Sequence, residues 1–329
     1  MFLRRCVAAI CLLWPVTAAA ANMDMLNVSY DPTREFYEEY NTVFSAYWKE
    51  KTGHDVKILQ SHGGSGKQAR SILDGLKADV VTLALAYDID VIAEKGKLLP
   101  PDWQSKLPAH SSPFVSTVVF LVRQDNPKQI KDWDDLVRPD MQVIMPKPKT
   151  SGGALCNYLA AWAYAQQKFN DEAKIRAFMK ALYKNVPVLD TGARGSTTTF
   201  AQRGIGDVLV SWESEALLAK SKMERDAFDI VYPSITILAE PPVAMVEENA
   251  KQKGTTEVAR AYLDYLYMPV AQKLGAKHFY RPTDPAIAAE FSGTFPAVSF
   301  ITIQRLGGWQ EVQHKHFDDG GIFDQIYTP

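Results

Sequence analysis

A turn of glycine and other small residues recurs where strand patterns give way to helical ones. It appears at Gly63-Gly64-Ser65-Gly66, Ser151-Gly152-Gly153-Ala154 and Gly192-Ala193-Arg194-Gly195-Ser196. Repeated strand-to-helix joints constrain the chain to an α/β architecture. The flanking sequence agrees. Residues 26–30, 54–59 and 79–85 read as apolar strands, whereas Phe36, Tyr40, Val43, Phe44 and Tyr47 recur at helical spacing up to Gly53. Asp31-Pro32 reads as an N-cap followed by the first helical position, and Ser65 with Gln68 has capping-box spacing. A further helix is expected over about 89–95. Residues 116–122, 141–145, 207–210, 228–232 and 243–246 read as strands, with helices after Gly153 and over about 171–183 and 213–220. This alternation predicts parallel-rich sheets with helices on both faces.

At 329 residues the chain is long enough for two domains. Two proline-marked stretches, Leu107–Pro113 and Pro233–Pro242, would let it leave one lobe, build another and return. The expected division is a first lobe over 22–115, a second over 116–235, and a return to the first lobe with C-terminal helices and a tail over 236–329.

Residues 1–21 read as a secretory signal peptide. Arg4 and Arg5 form the basic start, Cys6–Val16 the apolar run, and Thr17–Ala21 a small-residue site cut after Ala20 or Ala21. The apolar run is shorter than the ~20 residues a membrane span needs. Cleavage would remove two of the three cysteines and leave Cys156, which has no partner for an internal disulfide and reads as a buried helix residue. With 36 basic and 38 acidic residues, the chain lacks the basic excess of a nucleic-acid-binding protein. Hydrophobic content of 47% excludes a disordered chain.

The glycine-rich turns expose backbone N–H groups at helix starts, where unpaired donors and about half a positive charge favour an anion. Gly63–Lys67 fails the P-loop template, because Ser61 and Gln68 stand where Gly and Ser/Thr are required. His62 near Ser61 and Ser65 assembles no hydrolase elbow. His314, His316, Asp318 and Asp319 match no standard metal spacing and read as a solvated tail.

Longer segments carry a resemblance. They are NVSYDPTR at 27–34, SHGGSGKQ at 61–68, ADVVTLALAYD at 78–88, GARGST at 192–197, and GDVLV at 206–210 with Trp212. Across nearly its whole length after residue 21 the chain resembles the periplasmic sulfate-binding proteins of bacterial sulfate/thiosulfate ABC importers. The resemblance implies a two-lobed periplasmic-binding-protein fold of type II-like form, each lobe a sheet flanked by helices. It implies one oxyanion held between the lobes, delivery to an inner-membrane ABC permease, a periplasmic location, no cofactor and no metal, and a monomer that is not an enzyme. By motif it brings Asp31 and Ser65 from the first lobe, and Ser151, Gly152, Gly153, Ala193 and Trp212 from the second. Backbone N–H groups would serve at the Ser, Gly and Ala positions, with the Ser151 hydroxyl and the Trp212 indole. Asp31 would act through its turn and backbone. Relatives often carry a basic residue after Ser-Gly-Gly-Ala, where this chain has Leu155. A receptor for another tetrahedral oxyanion and an exported sulfate or phosphate ester hydrolase are the alternatives. The hydrolase lacks a base that sequence can pair with Ser151.

Overall fold

The computed structural model describes residues 23–222 and 227–327, so the signal peptide expected over 1–21 lies outside the described residues. Two sheets organise the chain. The first runs, in spatial order, Val243–Met245, Val80–Thr82, Met23–Tyr30, Val56–Gly63. Its last three strands are parallel, as βαβ crossovers require, and Val243–Met245 is antiparallel to Val80–Thr82. Helix Arg34–Thr52 returns over this sheet, burying Phe36, Tyr40, Phe44 and Trp48, and stops at Gly53 with φ 76°. Helix Ala86–Gly96 is longer than the sequence pattern suggested.

The second sheet is built on one long strand, Phe114–Arg123. Its start pairs with Arg281–Pro282, which follows helices packed on the first core. Its remainder pairs antiparallel with Thr236–Ala239, Val208–Trp212 and Phe228–Val231. This sheet is therefore mixed rather than parallel-rich. Among the described residues, only Val143–Pro146 runs parallel to its neighbours Val208–Trp212 and Leu189–Asp190, and Phe300–Ile301 to Thr236–Ala239. The cause is that a crossing strand enters from the other lobe and meets its partners head-on.

The return also differs from the sequence expectation. Thr236–Ala239 still belongs to the second sheet, and the first sheet is rejoined at Val243. Residues 300–326 then leave it again, because Ile303, Val312, Phe317, Ile322, Phe323 and Ile326 bury against the second core. The tail is therefore solvated only in part: His314, Asp318 and Asp319 are exposed as expected, whereas His316 is buried. His316 is 4% exposed, its Nδ1 lies 3.0 Å from the Tyr158 hydroxyl, and its ring packs on Trp162. Cys156 is buried in helix Gly152–Phe169.

Candidate functional site

Asp31, Ser65, Ser151, Gly152, Gly153, Ala193 and Trp212 all line one small cavity of about 20 Å³ between the lobes, with Tyr30, Pro32, Gly63, Gly64 and Ala84. Each sits at the end of a strand or the start of a helix, the usual ligand edge of an α/β sheet.

Ser65 is the first residue of helix Ser65–Leu73 and follows N-cap Gly64. The expected capping box is not formed. The Ser65 hydroxyl instead donates to the buried Asp88 carboxylate and accepts from the Ala84 N–H at 2.9 Å. With its hydroxyl committed on both sides, Ser65 has only its backbone N–H to offer. Asp88 is pushed up to about 6 by burial, partly offset by the Ser65 hydrogen bond.

Ser151 is the N-cap of the 18-residue helix Gly152–Phe169, and its side chain makes no cap bond. Gly152 and Gly153 are the first two helical residues, so their N–H groups have no partner within the helix. Ala193 likewise opens helix Ala193–Thr197 behind Gly192. Trp212 ends the strand Val208–Trp212 and is 4% exposed, with its ring edge-on to Tyr30 at 5.6 Å. Its indole Nε1 is buried and has no hydrogen-bond partner among the described residues. The same is true of the Tyr30 hydroxyl.

Asp31 is not an N-cap. It lies inside a 3₁₀ turn, Asp31–Thr33, whose N-cap is Tyr30. Its Oδ1 accepts from Arg34 Nη2 at 3.0 Å, and its Oδ2 faces Gly192 so closely that a Cβ there would collide with it. Gly64 meets the carbonyl of Thr150 in the same way, and a Cβ on Gly152 would stand 2.8 Å from Ala84 Cβ and 3.0 Å from Leu85 Cγ. The glycines are there because backbone from one lobe touches the other.

The charges around the cavity are already paired. Arg194, directly after Ala193, binds Glu35 of the first lobe at 2.8 and 2.9 Å and the buried Glu215 at 2.8 and 3.2 Å. Burial raises Glu35, but Arg194 and Lys222 outweigh it and bring the carboxyl down to about 2. Burial, reinforced by Arg34 and Arg194, lowers His62 to about 4, so this ring is neutral at pH 7.

A larger cleft of about 540 Å³ borders the same Ser151–Gly152 turn. Its walls mix Arg70, Lys95 and Lys149 with Asp88, Asp318 and Asp319, so it presents no field of one sign. Leu155 lines this cleft and not the small cavity. The small cavity is where unused donors converge: an indole N–H, a hydroxyl and helix-start amides. That set suits a compact anion that only accepts hydrogen bonds.

Sequence reasoning missed Tyr30, Gly64 and Ala84 in the lining and Asp88 beneath Ser65. Gly64 was visible within its turn, but no local signal marks Asp88, which lies 23 residues from Ser65.

Residues 31–281 match the family profile of bacterial extracellular solute-binding proteins. The chain is 56% identical over 317 residues to the sulfate-binding protein of Escherichia coli K12, covering 96% of each chain. It is 50% identical over 313 residues to the thiosulfate-binding protein of Pseudomonas aeruginosa, covering 95% of this chain and 94% of that one. Among solved structures, the sulfate-binding protein SubI from Mycobacterium tuberculosis H37Rv superposes with a TM-score of 0.80 at 34% identity. That match covers 90% of this chain and 100% of the other.

Proposed function

The chain belongs to the bacterial extracellular solute-binding proteins, and from that premise we propose that it is a receptor that binds sulfate between its lobes and passes it to an inner-membrane ABC permease. The observation that carries this reading is the buried, partnerless indole N–H of Trp212 on the same cavity as Ser151 and the amides of Ser65, Gly152, Gly153 and Ala193. In this reading the indole, the Ser151 hydroxyl and those amides donate to the ion, and Asp31 contributes through its turn.

Sulfate at neutral pH is a dianion with acceptors only. A lining of N–H and O–H donors is its complement. Phosphate keeps a proton at this pH and needs an acceptor. The one carboxylate in the lining, Asp31, is engaged by Arg34. A buried donor left unmet costs about 1–3 kcal/mol, which is enough to set phosphate apart. Burying a dianion without a free cation is offset by charge-assisted hydrogen bonds of roughly 1.5–3 kcal/mol each and by the helix termini. Together these support an affinity of about 1 μM or tighter.

Thiosulfate keeps the charge and three of the oxygens, and a relative named for it is 50% identical, so it is the second ligand of the same site. We assign the site no catalytic step. Among the described residues its lining holds no histidine, lysine or cysteine, and its one carboxylate, Asp31, is engaged by Arg34. The receptor works in the periplasm as a monomer, after removal of the leader at Ala20 or Ala21.

Calorimetric titration of the dialysed mature protein with sulfate, thiosulfate, molybdate and phosphate tests the reading. Sulfate should saturate one site and phosphate should give no heat at matched concentration. A hundredfold excess over Kd should stabilise the fold by about 2.7 kcal/mol, seen as a rise in Tm. Equal binding of sulfate and phosphate would overturn the donor-only argument.

A further inference from the structure

The Trp212 side chain makes no hydrogen bond among the described residues, so its aim rests on the packing of its ring, including the edge-on Tyr30, and on what holds the backbone around it. The next residue, Glu213, is fully buried. Its Oε2 accepts from Arg281 Nε at 2.6 Å, and its Oε1 accepts from Arg281 Nη2 at 2.8 Å and from the Tyr232 hydroxyl at 2.6 Å. A buried carboxylate held by a two-pronged guanidinium fixes direction as well as distance.

Arg281 stands where the lobes join. Its strand, Arg281–Pro282, follows helices of the first core and pairs with the start of the crossing strand at Val115 and Phe114. The same Nη2 donates to the Pro296 carbonyl at 2.9 Å, and the guanidinium lies 5.3 Å from the Phe295 ring and 5.7 Å from the Phe300 ring. Residues 295–300 lead the chain back to the second sheet. One guanidinium thus grips the crossing region, the returning segment and the residue beside Trp212.

We propose that the Glu213–Arg281 ion pair positions the Trp212 indole, so that the joint between the lobes sets the aim of a ligand donor. This rests on the reading of Trp212 as a sulfate ligand. Arg281 and Glu213 touch no ligand; they act through Trp212.

Two measurements test it. The first needs no ligand. Mature protein labelled with 5-fluorotryptophan gives a fluorine resonance for Trp212, assigned by its loss in Trp212→Phe. Arg281→Lys keeps the charge but loses the fork, and Tyr232→Phe removes one bond to Glu213. Both should shift or broaden that resonance while leaving the other tryptophans in place. An unmoved Trp212 resonance in both variants overturns the proposal, whatever the protein binds. The second is a thermodynamic cycle on sulfate affinity. Arg281→Lys should weaken binding about five- to twentyfold in the wild-type background, and by less than about twofold when Trp212 is already Phe. Equal losses in the two backgrounds would show that Arg281 acts on the fold at large and overturn the proposal. Absent sulfate binding by the wild type would instead overturn the ligand reading and leave the resonance to decide the positioning.

Discussion

The indole Nε1 of Trp212 stands 3.6 Å from the point that a Cβ on Gly153 would occupy, and Ser151 Oγ stands 3.8 Å from the same point. Two donors from different elements therefore flank one position that only a residue without a side chain leaves open.

Gly153→Ala should separate folding from binding. The added methyl makes no contact shorter than ordinary packing, and alanine is favoured over glycine in a helix by up to about 1 kcal/mol. Unliganded stability should be unchanged or slightly higher. If sulfate sits as proposed, the methyl would take the space of a ligand oxygen and screen the indole, and affinity should fall by about a hundredfold or more. Urea unfolding and calorimetry on the same preparation check both halves. A variant with wild-type affinity would place the ligand elsewhere.

Trp212→Phe keeps much of the packing against Tyr30 and removes the donor. The sulfate would lose a charge-assisted bond worth roughly 1.5–3 kcal/mol, a tenfold to hundredfold rise in Kd. If Trp212 is packing alone, stability will fall and affinity will not.

Gly64→Ala should obstruct closure. The new Cβ would meet the Thr150 carbonyl of the opposite lobe, which is backbone and cannot swing away. Relieving the overlap by parting the lobes should weaken sulfate binding by about 1–3 kcal/mol. Small-angle scattering should show less compaction on sulfate addition than in the wild type. Full compaction would mean that the lobes approach along another line.

The buried His316 makes an acid-sensitive contribution. Burial lowers it to about 4, helped by Lys315 and Arg176 and opposed by Glu172. Between its unfolded value near 6.5 and its folded value, the unfolded chain binds more protons, so stability falls as pH drops through that window. The group accounts for roughly 3 kcal/mol across it. His62 acts in the same direction and Asp88, raised by burial, in the opposite one, so the raw curve mixes terms. The difference in unfolding free energy between wild type and His316→Gln isolates this residue. It should narrow by about 3 kcal/mol from pH 7 to pH 4; a constant difference would mean that His316 titrates normally.

The parts of the site that could be read from sequence are the locally encoded ones. Ser151-Gly152-Gly153 announces itself because a strand, a side-chain-free turn and a helix must follow one another in the chain. Trp212 does not, since an indole that donates to a ligand and one that fills a core have the same local pattern. Asp88 and Arg281 lay beyond reach because their partners, Ser65 and Glu213, are 23 and 68 residues away. The tail misled only at His316 and its apolar face, and for a different reason. Asp318, Asp319 and two glycines make it look solvated, but Phe317, Ile322 and Phe323 supply the face it buries.

The orphaned donors also bear on how an importer avoids working for nothing. A transporter that recognises the closed outline of its receptor would hydrolyse ATP idly whenever an empty receptor closed. In the proposed site, closing the lobes over an indole, a hydroxyl and several amides would strip them of water, and without an anion each would stay unmet at about 1–3 kcal/mol. Three or four such groups would make the empty closed form rarer than about one molecule in a hundred. The chemistry that holds the cargo would then certify its presence, because the closed silhouette becomes common only when the donors have something to hold.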